Sequence, residues 1–388
     1  METIKLCRFI GETFPDGKDI YGGLIPNYYN LSTELAKFGV ETTILCPYKE
    51  GQKLHEDKNG FTVERFRLNN SKLSSIAFNF GMNKKAYKQS LKIEKDIVQL
   101  HNFYGYWFQK KVQVPNVLTV HGCDIELFNA NAKFPTKLDY RSIKNKLDSR
   151  KTLFLSKRMS KNADLVVGVS KGVSNEIKEY WKVNPKKTIS IYNGINYNSF
   201  KRKKSDVMTK YSDTFNILYV GRITPLKGIN YLFDAINNIK NVCLFVIGAS
   251  TVHEEYFQQI LQKVKDKKKI ILIGKIPHNE LAKYYSAADC MVLPSLGEGF
   301  PKVILEAMAA ECPVISSNIP GSNEIVNEKT GWLFKRENPK DLESKIRFVI
   351  DNYGEAKKRA RNARELVKTY FTWEIAAKKY AKAYKKLV

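Results

Sequence analysis

The chain has 388 residues, enough for two domains that each bury a sizeable core. It has no apolar run of the roughly 18 residues a spanning helix needs, and Met1 to Ile10 lacks the apolar stretch and cleavage site of a leader, so a cytoplasmic location is expected. Lys and Arg number 65 against 39 acids, a formal charge of +26, which either attracts polyanions (nucleic acid, an anionic membrane, a phosphorylated substrate) or simply solvates the surface.

Ile4–Phe9 reads as the first strand, and a loop over residues 11–19 follows it. Tyr21-Gly22-Gly23-Leu24 then opens a helix running to about Phe38. A Gly-rich loop ahead of a helix can bring backbone N–H groups onto phosphate, although Gly-Gly alone more often marks a turn. Further apolar runs at Val40–Leu45, Phe61–Phe66, Ile97–Leu100, Val117–Val120 and Leu165–Val169 read as strands. Two of these runs end on histidine. Val120 leads into His121-Gly122-Cys123-Asp124, and Leu100 leads into His101, the weaker candidate for a site. Between them and the last run, Leu138, Ile143, Leu147 and Phe154 recur at helical spacing inside the basic stretch Lys137 to Lys161. Packing of that stripe on a domain core is expected, with binding to a membrane surface as a secondary role. Asn193-Gly194 punctuates the chain just before a polar, basic stretch from Asn196 to Ser212, so the linker is placed after Ile195.

The second half repeats the alternation, with strands at Ile217–Val220, Cys243–Ile247, Ile270–Ile273, Cys290–Leu293, Val314–Ser316 and Trp332–Phe334. Short apolar runs alternating with helical segments predict the α/β class, as two doubly wound Rossmann-like domains of parallel strands. Ligands bind such sheets at the carboxyl ends of the strands, and the expected site is the cleft between the two domains. The six cysteines, at 7, 46, 123, 243, 290 and 312, are dispersed and form no Cys-x-x-Cys, so core thiols are expected and structural zinc is not.

Two strand ends in the second half carry chemistry. Val220 is followed by Gly221-Arg222-Ile223-Thr224-Pro225-Leu226-Lys227-Gly228, which puts two cations beside the strand end and a helix start near Gly228. Leu293 is followed by a loop and the run Glu298-Gly299-Phe300-Pro301-Lys302-Val303-Ile304-Leu305-Glu306. Pro301 suits the first position of a helix, which places Glu298 in the loop and Glu306 within the helix. Gly299 permits close approach of backbone to a ligand, and the helix start favours an anion. Two acids flanking such a start suit a diphosphate with hydroxyls at both ends, the shape of a nucleotide sugar. The plainer alternative is a loop acid and a solvated helix acid in an ordinary α/β protein.

In this setting the Glu298-x7-Glu306 run, with its flanking Gly-Phe-Pro and Glu-Ala-Met-Ala, resembles the signature of retaining GT-B glycosyltransferases of family 4, the glycogen-synthase-like group. The resemblance extends from Gly221 to about Gly331 and is sparse in the first half, where it rests on Gly22-Gly23 and His121-Gly122. It implies the GT-B fold with a last helix that returns to the first domain. The N-terminal domain is then 1–195 plus 375–388 and the nucleotide-sugar domain 196–374. It implies that Arg222 and Lys227 stabilise the leaving diphosphate and that Glu298 and the N–H groups of Gly299 and Phe300 hold the donor sugar, with Pro301, Lys302 and Val303 beside them. Glu306 takes the ribose hydroxyls, the turn at Lys275 and Ile276 reads the base through backbone, Gly22 and Gly23 lie over the donor phosphates, and His121 contacts the donor sugar. No Asp-x-Asp is evident near these positions, in keeping with metal-independent chemistry and no cofactor beyond the co-substrate. The Glu-Gly-Phe-Pro form favours a UDP-hexose or UDP-N-acetylhexosamine over GDP-mannose. The expected partners are the donor, a glycan or lipid-linked acceptor and an anionic membrane surface, with no nucleic acid. A GT-B nucleotide-sugar epimerase and a non-catalytic basic protein that binds nucleic acid or membrane are the rival readings.

Overall fold

The computed structural model describes residues 3–15, 24–68, 75–102, 105–122, 152–249 and 254–388. Gly22, Gly23, Cys123, Asp124 and most of the basic stretch from Lys137 lie outside them. The chain forms two compact units. The first takes its residues from Met1–Gly122, Arg150–Gly194 and Trp373–Val388, and the second contains Ile195–Thr372. These changes of unit fall slightly before the breaks expected after Ile195 and Glu374. Ile195 donates its N–H to the Phe371 carbonyl and bridges to Thr372, which ties both segments to the second unit, whereas Trp373 is buried in the core of the first.

The first unit is built on an eight-stranded sheet in the order β3-β4-β2-β1-β5-β6-β7-β8. Its strands are β1 (Ile4–Phe9), β2 (Val40–Pro47), β3 (His55–Lys58), β4 (Phe61–Phe66), β5 (Ile97–His101), β6 (Asn116–Val120), β7 (Leu165–Gly168) and β8 (Thr188–Ser190). All neighbours are parallel except β3 and β4. β5 and β6 are buried at every position, as strands covered on both faces must be. Helix α1 (Ile25–Ala36) covers one face together with the chain's last helix, Trp373–Tyr384. Trp373, Ala377, Tyr380 and Tyr384 of that helix share a core with Leu6, Val117 and Val167 of the sheet. The described part of the basic stretch includes a helix over 152–162. Phe154 is 57% exposed there, contrary to its expected place in the apolar stripe, and the buried positions are instead Ser156, Met159 and Ser160.

The second unit has six parallel strands in the order β11-β10-β9-β12-β13-β14. They are β9 (Phe215–Val220), β10 (Val242–Ile247), β11 (Ile270–Gly274), β12 (Cys290–Leu293), β13 (Val314–Ser317) and β14 (Trp332–Phe334). Strands are added outward from β9 in one direction and from β12 in the other, so the topological switch point lies between β9 and β12. A crevice opens at the carboxyl ends of the strands at such a point. The same reversal occurs between β1 and β5 in the first unit. The five described cysteines are all buried. No described helix is long and apolar enough to cross a membrane.

Candidate active site

The two strand ends singled out in the sequence flank the switch point of the second sheet. Beyond β9 the chain passes Gly221 and Arg222, makes a short 3-10 turn at Pro225–Lys227 and enters the helix Ile229–Ile236 through Gly228. Gly228 has φ +62°, and a Cβ there would lie 2.1 Å from the Pro294 carbonyl oxygen, so only glycine lets these two loops touch. Leu296 N–H donates to the Leu226 carbonyl at 2.8 Å and fixes the same contact from the other side. A second close approach lies at the ends of β9 and β10. Gly248 has φ +143°, and a Cβ on it would meet the Gly221 carbonyl oxygen at 1.9 Å. The buried Tyr219 hydroxyl donates to the Arg222 carbonyl at 2.9 Å, which anchors the backbone of a residue whose own side chain is exposed.

This lacing brings Lys227 and Glu298 together from turns far apart in sequence. Lys227 Nζ donates to Glu298 Oε1 at 2.5 Å, and Ser295 Oγ donates to the same oxygen at 2.6 Å. Both charged side chains are mostly covered, at 17% and 11% exposure, so their attraction is screened less than that of a surface pair. Ser317 Oγ in turn donates to the Ser295 carbonyl at 2.5 Å, and Arg336 Nη1 donates to the Leu296 carbonyl at 3.1 Å. The loop carrying Glu298 is thus held from several elements.

The helix after that loop spans Lys302–Ala309, with Pro301 at the N-cap (φ −79°, ψ 94°) rather than at the first helical position. The extended ψ at Pro301 lets the chain enter the helix straight from the Gly299-Phe300 turn. Glu306 is buried, and both its oxygens are engaged: Oε1 lies 2.9 Å from His278 Nε2, and Oε2 accepts from the Tyr285 hydroxyl at 3.1 Å. Burial pushes the Glu306 carboxyl up. The bonds and charge of His278, the charge of Lys302 and the Tyr285 bond outweigh it, leaving the carboxyl below its ordinary range. The Lys302 ammonium is pulled down by burial, with Glu306 opposing. A carboxylate offers about four lone-pair directions, so Glu306 keeps acceptor capacity beyond these two bonds.

Neither His278 nor Tyr285 was among the expected site residues. His278 lies two residues past Ile276, in a turn read only for its backbone, and Tyr285 looks like an ordinary buried face of the helix Leu281–Ala287. Lys275 is exposed and Ile276 half-buried, just after Gly274 at φ +79°.

In the first unit His101 ends β5 and His121 follows β6, which is its neighbour in the sheet. His101 Nδ1 and His121 Nε2 are 2.9 Å apart, with the rings stacked at 26°. His121 N–H also donates to Asn102 Oδ1 at 3.0 Å. Beneath them the buried Arg8 donates to Gln99 Oε1, the Tyr28 carbonyl and Ser32 Oγ, and Gln99 Nε2 donates to Thr119 Oγ1.

Residues 200–366 match the family model described as glycosyl transferases group 1, and residues 21–199 match the model for glycosyltransferase family 4. The chain belongs to the GT-B, family 4-like glycosyltransferases. A glycosyltransferase of Methanocaldococcus jannaschii is 25% identical over 393 residues, which is 94% of this chain and 95% of that protein. Glycogen synthase of Mycobacterium tuberculosis is 25% identical over 394 residues, covering 94% of this chain and 91% of its own. Among solved structures, sucrose-phosphate synthase from Thermosynechococcus elongatus has a TM-score of 0.85 at 21% identity, with 99% of each chain covered. Anabaena HepE in complex with UDP-glucose has a TM-score of 0.78 at 17% identity, covering 99% of this chain and 100% of its own. At such identities these structures speak for the fold, which is GT-B.

Proposed function

We propose that this glycosyltransferase moves a hexosyl or N-acetylhexosaminyl group from a nucleotide sugar to a glycan or lipid-linked acceptor with retention of configuration, without a metal, and with UDP as the favoured nucleotide. The observation that carries the reading is the Lys227–Glu298–Ser295 cluster at the switch point of the second sheet. Arg222 and Lys227 stabilise the diphosphate as its charge grows, the electrostatic preorganisation that supplies the largest share of many such accelerations. Glu298 and the backbone of Gly299 and Phe300 hold the sugar, and Glu306 takes the ribose hydroxyls. His121 contacts the donor sugar, and the departing phosphate takes the acceptor's proton as it leaves. HepE bound to UDP-glucose supports a uridine donor by analogy.

The first test is a thermal-shift screen with UDP, GDP, ADP and their common sugars, without added metal. A ligand that binds only the folded state stabilises it by about 2.7 kcal/mol at a hundredfold excess over Kd. A rise in melting temperature with the uridine compounds is expected. No rise with any nucleotide at millimolar concentration would sink the donor site. Proton NMR of the product's anomeric signal then reads the stereochemistry, and an inverted linkage would remove the retaining mechanism. An epimerase would instead consume the donor with no acceptor present.

The acceptor side of the proposal includes an anionic membrane surface. Its support is a patch on the first unit where Phe80 and Trp107 are exposed and in contact, at 5.3 Å between ring centroids, beside Lys84, Lys88, Lys110 and Lys111.

A further inference from the structure

We propose that His278 and Tyr285 are positioning residues which fix the Glu306 carboxylate as a two-point acceptor, so that the choice of a ribose donor over its 2′-deoxy counterpart depends on both. The statement rests on the ribose role given to Glu306 above; the way the carboxylate is held does not.

The direction of each bond follows from the chemistry of its partners. Burial pushes the Glu306 carboxyl up, and His278, Lys302 and Tyr285 outweigh it, which leaves a carboxylate at neutral pH. A carboxylate has no proton to give. His278 must therefore donate from Nε2 to Oε1 at 2.9 Å whatever charge its ring carries, and the Tyr285 hydroxyl must donate to Oε2 at 3.1 Å. Each oxygen receives one bond, so of the roughly four lone-pair directions of the group one is left on each oxygen. Two acceptors side by side at a fixed orientation match two hydroxyls on adjacent carbons, which is what the 2′ and 3′ positions of a ribose present.

The donors are themselves held. His278 opens the turn His278–Glu280, and Tyr285 lies in the helix Leu281–Ala287 that follows it directly, so both come from one short stretch of chain. The buried Phe200, at the end of the turn Tyr197–Phe200, meets both rings edge to face: its centroid is 5.2 Å from that of His278 at 70° and 6.2 Å from that of Tyr285 at 63°. Aromatic pairs prefer such geometry, and one shared partner restrains both donors. Tyr285 is fully buried and the Glu306 side chain is 4% exposed, whereas that of His278 is 31% exposed, so the group opens on the side of His278. A structural purpose alone does not call for an acid here. Taking a carboxylate out of water is costly, and apolar residues of similar volume often replace a buried ionic group with no loss of stability. An acid kept under two donors, with an acceptor site to spare on each oxygen, is explained by a ligand that uses those sites.

The test is calorimetric titration of the full chain with UDP and with 2′-deoxy-UDP, or with the GDP or ADP pair if that nucleotide is the one that raises the melting temperature. Wild type should bind the deoxy compound about tenfold to a hundredfold more weakly, the range for losing one hydrogen bond to a charged group. His278→Phe keeps a ring against Phe200 and removes the donor, and Tyr285→Phe removes a single oxygen atom. Each should lose most of that discrimination while still melting as a folded protein. A glutamine amide nitrogen falls near the place of Nε2, so His278→Gln should retain it. The wild-type ratio in both folded phenylalanine variants overturns the positioning role. Equal loss in His278→Gln and His278→Phe would mean that the ring only fills space, and overturns it for His278. Discrimination kept in full by Glu306→Gln, or absent from wild type, would instead remove the ribose role of Glu306 stated above, so the two failures are distinguishable.

Discussion

Glu306 and His101 are both buried, and both bind a proton more weakly in the folded chain than in the unfolded one, for opposite electrostatic reasons. At Glu306 favourable partners stabilise the charged form; at His101 burial and two neighbouring basic groups destabilise it. In each case the unfolded chain takes up the proton first, so stability is present above the unfolded pKa and lost as pH falls. The windows differ. His101 begins to cost stability below about 6.5 and Glu306 below about 4.3, the ordinary values of the two side chains. Melting temperature against pH should therefore decline in two stages, with His101→Asn flattening the first and Glu306→Gln the second. An unchanged first stage in His101→Asn would refute the assignment to this ring. Lys227 calls for a different experiment because its work is proposed to lie in the transition state. Removing it leaves Ser295 still donating to Glu298, so the loop should hold. Lys227→Met is expected to lower kcat by about 10²- to 10³-fold, the range for losing one preorganised donor, with a melting temperature close to wild type. A large loss of stability with normal turnover in the folded fraction would show that the pair with Glu298 is structural.

Elements were legible where one physical cause dominated. Cys290–Leu293, buried at every position, is a continuous apolar run and could be bounded to the residue, and Ile4–Phe9, Phe61–Phe66 and Trp332–Phe334 were bounded equally well because buried apolar residues mark both of their ends. The two unforeseen strands lie at opposite edges of the first sheet. His55–Lys58 is a run of charged residues and Thr188–Ser190 is short and polar, the composition that protects an edge from further pairing and hides it from a search for apolar runs. The candidate site was legible where a motif is local, as from Glu298 to Glu306. It was not where the fold brings distant groups together: nothing in the sequence points from Glu306 back to His278 and Tyr285. The glycines fall between these cases. Gly228 could be read as punctuation, but its cause is a contact with another loop. Gly228→Ala must place a Cβ 2.1 Å from the Pro294 oxygen while holding φ at +62°. It should cost more than about 4 kcal/mol, the exceptional end of single-substitution effects, and calorimetry should find it melting far below wild type or not folding. Gly354→Ala has nothing within 4 Å of the new Cβ and lies in the helix Tyr353–Tyr370, so it is the control that should be neutral or stabilising.

For the whole molecule the surplus of +26 becomes informative through its distribution. No Asp or Glu occurs from 65 to 93 or from 97 to 123. Those stretches contain the helices Ser75–Ser90 and Tyr106–Gln109, which carry the exposed Phe80 and Trp107. Phe80, Lys84, Lys88 and Leu91 recur at the spacing of one helix face, and Lys110 lies 5.1 Å from the centre of the Trp107 ring. A solvated lysine surface would not need two large exposed aromatic rings beside it; an interface with lipid headgroups uses both, the rings at the acyl boundary and the ammonium groups on anionic lipid. The proposed membrane partner therefore makes a two-part prediction. The protein should sediment with phosphatidylglycerol vesicles and not with phosphatidylcholine, and binding should weaken as salt shortens the screening length. Each lysine near such a surface contributes about 1 kcal/mol, so reversing both Lys110 and Lys111 to Glu should reduce partitioning by well over tenfold. Phe80→Ala with Trp107→Ala should remove the part of the binding that survives high salt. Binding that ignores lipid charge, or that persists in both double variants, would mean that this face is solvated surface and that the acceptor is met in solution.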